Sequence, residues 1–280
     1  MDYACDAMSS FLSRHSLPLP GTVQFAGASI AVSATHDDET KTRAAALAHD
    51  LALPFADTST ADFDLLLHMT PEHLELQDNR DTRVGPVCVD FSRLDLRPYS
   101  AHLSRRQPLA RALGKKTRTV VDATAGYCQD ALLFALMGYH TVALERSPVV
   151  VTLAQDGLRR LCAQSGITLD RRLQLIEGDG RVLLPSLSPV PDVIYLDPMF
   201  PAKRKKSAAV KKEMRILRDL VGDDADAFEL FEISCRVARD RVVVKRPDDA
   251  APLAPRPSMS ITGKLVRYDV YLTRNRNISE

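Results

Sequence analysis

From residue 118 onward the chain alternates short apolar runs with longer amphipathic stretches, and this grammar narrows the possible folds more than any other feature. Strands are expected at 119–122, 140–144, 173–176, 193–196 and 241–244, with helices at 130–137 and 148–163 between the first three. Runs of four or five apolar residues bounded by turns read as strands buried on both faces. Parallel strands need long crossovers, and helices of this length supply them, so a doubly wound parallel sheet is the expected α/β product. Ser147 is placed to cap the second helix, with Pro148 at its first position. A basic helix at 207–220 and an acid-opened one at 224–237 are expected before the fifth strand. After Pro247, strands at 258–262 and 266–272 meet at Gly263 and Lys264, which predicts a C-terminal antiparallel hairpin and seven strands in all.

Residues 1–98 lack this alternation and are expected to form a small N-terminal α+β domain, with 99–280 as the second domain. One or two strands are expected within 23–33, then a helix from Asp38 that Pro54 ends. Further strands are expected at 63–68 and 86–91, separated by a charged turn at 78–83. Between the domains, 93–117 is rich in arginine and holds a short helix at 107–113 that stops at Gly114. Its arginines read either as a solvated linker or as the lining of a groove for a polyanion.

Of 280 residues 45% are hydrophobic, enough for a globular core. A formal charge of +1 means that nucleic-acid binding requires a local basic patch. Cys5, Cys88, Cys128, Cys162 and Cys235 are scattered and odd in number, which argues against a disulfide framework and fits a reducing cytosol. His68, His73 and Asp90 lack metal-ligand spacing, so no metal is expected. Neither a basic, apolar leader nor a membrane-length run is present, so the expectation is a cytoplasmic protein with no membrane partner.

The strand ends carry the chemistry, because ligands of open α/β sheets sit outside the carboxyl ends of the strands. The first ends in Asp122-Ala123-Thr124-Ala125-Gly126, followed by Tyr127, Cys128, Gln129 and Asp130 at a helix start. Small residues let the backbone approach a ligand, and the helix N-terminus offers N–H groups. The G-x-G-x-x-G pattern that cradles a pyrophosphate is missing, which favours a cofactor without phosphates and disfavours a nicotinamide dehydrogenase. The second ends in Glu145-Arg146, where a carboxylate can accept from two ribose hydroxyls. The third ends in Glu177-Gly178-Asp179-Gly180, read either as an acceptor for an adenine amine or as a plain turn.

The fourth strand ends in Asp197-Pro198-Met199-Phe200. Asp-Pro is a common turn dipeptide. The four residues also resemble the (Asp/Asn)-Pro-Pro-(Phe/Tyr) signature of methyltransferases that act on exocyclic amines of bases. Such an amine is conjugated to its ring and is a poor nucleophile. Accepting its protons on Asp197 and on the Pro198 carbonyl would aim the lone pair at an activated methyl, while Phe200 stacks on the extruded base. Lys203, Arg204, Lys205, Lys206, Lys211 and Lys212 follow closely, and Lys245 and Arg246 end the fifth strand; a solvated face is the plain reading, RNA phosphate contacts the sharper one.

Asp122-Ala-Thr-Ala-Gly126, Leu144-Glu-Arg-Ser-Pro148, Tyr195-Leu-Asp-Pro-Met-Phe-Pro201, Val210-Lys-Lys-Glu-Met214 and Val242-Val-Val-Lys-Arg-Pro247 together resemble the ribosomal small-subunit RNA methyltransferase J family, guanine-N2 methyltransferases of bacterial 16S rRNA. The resemblance is strong from about Arg93 onward. It implies a Rossmann-like methyltransferase sheet, S-adenosylmethionine as cofactor, and 16S rRNA or the small ribosomal subunit as partner. It also implies cofactor contacts from Gln129, Asp130, Glu145, Arg146, Asp179, Gly180 and Asp197, besides the turn residues Asp122, Ala125 and Gly126. Two positions depart from the family pattern: Gly-Leu-Gly-Arg-Asp appears as Gly126-Tyr-Cys-Gln-Asp130, and a serine pair appears as Asp179-Gly180. Competing readings are an adenine-N6 or cytosine-N4 DNA methyltransferase, which shares the four-residue signature, and a non-catalytic RNA-binding ribosome-assembly factor.

Overall fold

A computed structural model describes residues 28–56, 62–83, 85–97, 100, 103–169, 171–198, 215–217, 219–220, 222 and 226–273. The larger sheet has seven strands: β4 (Thr119–Asp122), β5 (His140–Glu145), β6 (Leu173–Glu177), β7 (Val193–Leu196), β8 (Arg241–Pro247), β9 (Met259–Thr262) and β10 (Val266–Leu272). Their order is β6-β5-β4-β7-β8-β10-β9. The first five strands in this order run parallel, and β10 pairs antiparallel with both β8 and β9. This is the doubly wound sheet with a terminal hairpin expected from the alternation. Val120, Val121, Ile194 and Val242 to Val244 are buried, as strands covered on both faces require.

The crossovers are α3 (Gln129–Leu136) after β4 and α4 (Pro148–Ser165) after β5. Ser147 caps α4 by accepting from the Val150 N–H at 3.4 Å, and Gly166 ends it in the left-handed region at φ 70°. The short α5 (Gly180–Leu183) follows β6, and α6 (Ala227–Val237) precedes β8. Leu113 and Ala112 of α2 (Pro108–Leu113) bury against β8 and the hairpin side of the sheet.

In the N-terminal unit, β1 (Ile30–Ala34) and β2 (Leu65–Met69) are parallel, linked through α1 (Asp38–Asp50), and β3 (Leu74–Asp78) returns antiparallel to β2. One expectation needs correction here. Residues 86–91 do not form a strand; Val87 makes one bridge to Leu76. The strand lies instead at β3, where Leu74, Leu76 and Asp78 face inward and Glu75 and Gln77 outward, a period of two that the neighbouring charged turn obscured.

The two sheets share a core. Ile30, Val32, Leu65, Leu67 and Leu76 belong to one cluster with Val149, Val150 and Leu153 of α4. Asp156 on α4 accepts from the Leu74 N–H at 3.1 Å and from Arg159 and Arg160 at 2.8 Å, while Arg160 donates onward to the Val89 carbonyl. Gly157 lies inside α4, where glycine costs helix stability, yet a Cβ there would sit 2.7 Å from Val89 Cγ1 and 2.8 Å from Val89 O. The N-terminal unit also grips Arg215, Ile216, Asp219 and Leu220: Ile216 and Leu220 are buried in the shared cluster, Asp78 accepts from Arg80 and Arg215, and Arg80 reaches Asp219 at 2.6 Å. Burial opposes the charge on Asp78, but hydrogen bonds from Arg80 and Arg215 outweigh it and hold its carboxyl below the usual range.

Two outcomes follow for stability. Gly157→Ala gains helix propensity but overpacks against Val89, and a net loss of about 1–2 kcal/mol is expected in urea unfolding; a gain would show that the contact yields. Because the folded pKa of Asp78 is depressed, its contribution is present above the unfolded carboxylate range and is lost as pH falls through the lowered value. Asp78→Asn should therefore lower Tm at neutral pH and flatten its fall as pH drops below the ordinary carboxylate range.

Candidate functional site

The chain passes outward through β4, β5 and β6 and then returns to set β7 on the other side of β4. This reversal opens a crevice beyond the carboxyl ends of β4 and β7. Proline has no N–H to continue a ladder, so β7 stops before Asp197-Pro198. The Asp197 N–H donates to Thr124 Oγ1 at 2.6 Å, and the Ala123 N–H donates to the Tyr195 carbonyl at 3.0 Å. The two turns that the sequence singled out are thus tied together.

Gly126 takes φ 52°, in the left-handed region, and a Cβ there would meet Leu217 Cδ2 at 3.9 Å as its nearest neighbour. Its N–H donates to Glu145 Oε2 at 2.9 Å, and the Ser147 N–H donates to Glu145 Oε1 at 2.8 Å. Glu145 is therefore buried and locked onto the turn by backbone donors. A carboxylate offers about four acceptor positions, so this anchoring is compatible with accepting from a vicinal diol. Ala125 is buried and donates its N–H to the Leu144 carbonyl. Cys128, where the family pattern has glycine, keeps the left-handed conformation at φ 62° and buries its side chain. The turn retains its shape without that glycine, against a cost of roughly 1–2 kcal/mol for a side chain in this region. An open glycine face beside a fixed carboxylate fits a nucleoside cofactor laid across the turn.

Gln129, at the start of α3, is exposed. At the end of β6, Asp179 caps α5 through the Arg181 N–H and is held by the Arg181 guanidinium at 2.6 Å. Arg181 continues to Asp226 and Glu229, and Arg146 reaches Asp226 at 2.8 Å. Arg146 and Asp179 therefore belong to one ionic cluster on the rim. Gly180 is buried against β4, since a Cβ would lie 3.1 Å from Leu230 Cδ1 and 3.2 Å from the Ala123 carbonyl.

Lys245 bridges two carboxylates, 2.8 Å from Asp130 Oδ2 and 2.9 Å from Asp197 Oδ2. Asp130 also accepts from the buried Tyr195 hydroxyl at 2.6 Å. Asp122 lies fully buried behind them; burial first, and then Asp130, push its carboxyl well above the usual range. Burial opposes the charge on Lys245, but Asp197 and Asp130 outweigh it and hold the ammonium above the usual lysine range. The Asp197 side chain keeps 39% of its surface exposed. Arg246 is buried and donates to the Ala251 carbonyl, so neither Lys245 nor Arg246 presents its charge on an outer rim. Phe200 and the residues Lys203, Arg204, Lys205, Lys206, Lys211 and Lys212 lie outside the described residues.

Sequence reasoning missed Thr124, Tyr195 and Arg181 as partners in this crevice. A signal existed for Lys245, a single cation interrupting the buried run Val242 to Val244, because such a charge requires a partner. For Thr124 and Tyr195 none existed, since a hydroxyl in a turn or on a strand has too many ordinary uses.

Comparisons with known proteins agree with this fold. A family model described as SAM-dependent methyltransferase matches residues 47–273. The ribosomal RNA small subunit methyltransferase J of Thioalkalivibrio sulfidiphilus is 46% identical over 244 residues, 84% of this chain and 95% of that protein. The protein of the same name from Coxiella burnetii is 43% identical over 238 residues, covering 81% and 91%. A crystal structure of a SAM-dependent methyltransferase from Neisseria gonorrhoeae superposes with a TM-score of 0.63 at 27% identity, covering 86% of this chain and 96% of that one.

The turn makes one clear prediction. Gly126→Val forces a β-branched side chain into the left-handed region at a cost of roughly 1–2 kcal/mol and fills the open face. S-adenosylmethionine binding by calorimetry should weaken about tenfold or more; undiminished affinity would show that the cofactor does not lie against this glycine.

Proposed function

Because the chain belongs to the ribosomal RNA small subunit methyltransferase J family of SAM-dependent methyltransferases, we propose that it methylates the exocyclic N2 of one guanine in small-subunit 16S rRNA. The observation that carries this reading is Asp197: a part-exposed carboxylate at the switch of the sheet, its backbone tied by Thr124 to the cofactor turn. S-adenosylmethionine, held by the Asp122 to Gly126 turn and Glu145, would supply an activated methyl group with its sulfur as the leaving group.

The chain's own residues supply orientation. The carboxylate of Asp197 and the Pro198 carbonyl accept the two N–H protons of the amine, which turns its lone pair out of conjugation with the ring and towards the methyl. Phe200 stacks on the extruded guanine, and the basic run from Lys203 to Lys212 takes the flanking phosphates. Glu145 receives the ribose hydroxyls, and the small turn Asp122 to Gly126 admits the remainder of the cofactor. As the amine gains its methyl it becomes cationic; Asp197 stabilises that charge and accepts the proton it loses.

The test is complementation of a deletion strain, with N2-methylguanosine in 16S rRNA counted by mass spectrometry. Deletion should remove one modified guanosine, wild-type protein should restore it, and Asp197→Ala should not restore it although the purified variant still binds S-adenosylmethionine. An unchanged count in the deletion strain sinks the proposal.

A further inference from the structure

We infer that Lys245 is a positioning residue for the transfer, holding Asp197 ionised and aimed at the amine, and is not a phosphate contact. This inference rests on the reading of Asp197 as the amine acceptor. Its basis is the register of the sheet. Leu196 of β7 pairs with Val244 of β8, so the next residues of the two parallel strands, Asp197 and Lys245, emerge side by side at the crevice. The ammonium lies within 2.9 Å of both Asp197 Oδ2 and Asp130 Oδ2. Tyr195 fixes Asp130 from below through its hydroxyl and is itself fixed by edge packing on Phe134, with ring centroids 5.0 Å apart.

The surroundings of the pair make the arrangement chemical as well as structural. Among the described residues Asp122, Asp130, Tyr195, Lys245, Arg246 and Tyr268 lie around Asp197. Burial pushes the Asp122 carboxyl and the Tyr195 and Tyr268 phenols up, and the Arg246 guanidinium donates to the Ala251 carbonyl. The Lys245 ammonium sits between the carboxylates of Asp130 and Asp197. An ionised Asp197 complements an amine that becomes cationic during transfer. Removing the ammonium takes away the cation that the two carboxylates share, which favours protonation of Asp197. A protonated Asp197 presents an O–H where an acceptor is needed.

The variant Lys245→Met keeps the aliphatic stem and removes the charge. Three readouts on full-length protein are expected: kcat falls about 100-fold even above the acidic limb, because the carboxylate loses its aim, while KM for RNA stays within about twofold; the acidic limb of the kcat profile moves up by about one pH unit or more; and S-adenosylmethionine binding persists. Independently of activity, the 13C carboxyl resonance of Asp197, assigned by its loss in Asp197→Asn, should titrate at higher pH in Lys245→Met than in the parent. Lys245→Arg, which can still bridge two carboxylates, should keep the parental titration midpoint and guards against misfolding of the methionine variant. A raised KM for RNA with an unshifted pH profile and titration would overturn the inference and return Lys245 to phosphate binding. Failure of the underlying reading is separable: Asp197→Ala would then transfer methyl normally while the carboxyl titration still reported the Lys245 coupling.

Discussion

The chemistry of this molecule depends on the pairing of β4 with β7. Each strand ends at an aspartate, and their adjacency brings a turn built for close backbone approach beside a turn that ends in an acceptor. Hydrogen bonds from Ala123 to Tyr195 and from Asp197 to Thr124 then make the two turns one rigid edge. Catalysis by orientation tolerates little looseness, because a misaimed lone pair forfeits most of the advantage of proximity. Anchoring the acceptor by its own backbone N–H is a direct way to meet that demand.

Charge is handled in layers behind this edge. Burial pushes the Asp122 carboxyl up, the Tyr195 hydroxyl donates to Asp130, and Lys245 spans Asp130 and Asp197. A lone buried carboxylate would be costly, and so would a lone lysine; together they form a hydrogen-bonded chain that is stable because each member has a partner. At the far side of the crevice a separate ionic cluster links Arg146, Asp226, Arg181 and Asp179, joining the ends of β5 and β6 to the start of α6.

The N-terminal sheet does more than cap the larger one. Its core is continuous with α4, which follows the Glu145 turn, and its Asp78 and Arg80 hold Arg215 and Asp219, beside Leu217, whose side chain is the nearest neighbour of the open face of Gly126. The N-terminal sheet thereby braces both the strand end that carries Glu145 and the wall beside the Gly126 turn. Gly157 records the closeness of this contact, since helix propensity alone would favour alanine.

The order of strands and helices, the terminal hairpin, and the strand-end positions of Asp122, Glu145, Asp179 and Asp197 were all legible in the sequence. Periodicity, caps and prolines are local signals that survive without knowledge of the partner. The N-terminal unit was less legible: β3 alternates cleanly, but it adjoins a charged turn, and its burial depends on α4 more than eighty residues away. Least legible were the partners. The motif placed Lys245 among phosphate-binding cations, whereas the register of β8 against β7 turned its ammonium onto two carboxylates; Asp179, read as an acceptor for a ligand, is engaged by Arg181. Residue type and spacing established which groups reach the crevice, because a strand end is a local event. Which of them meet, and so which charges survive there, was settled by strand order and register, because those pairings join residues that the chain itself holds far apart.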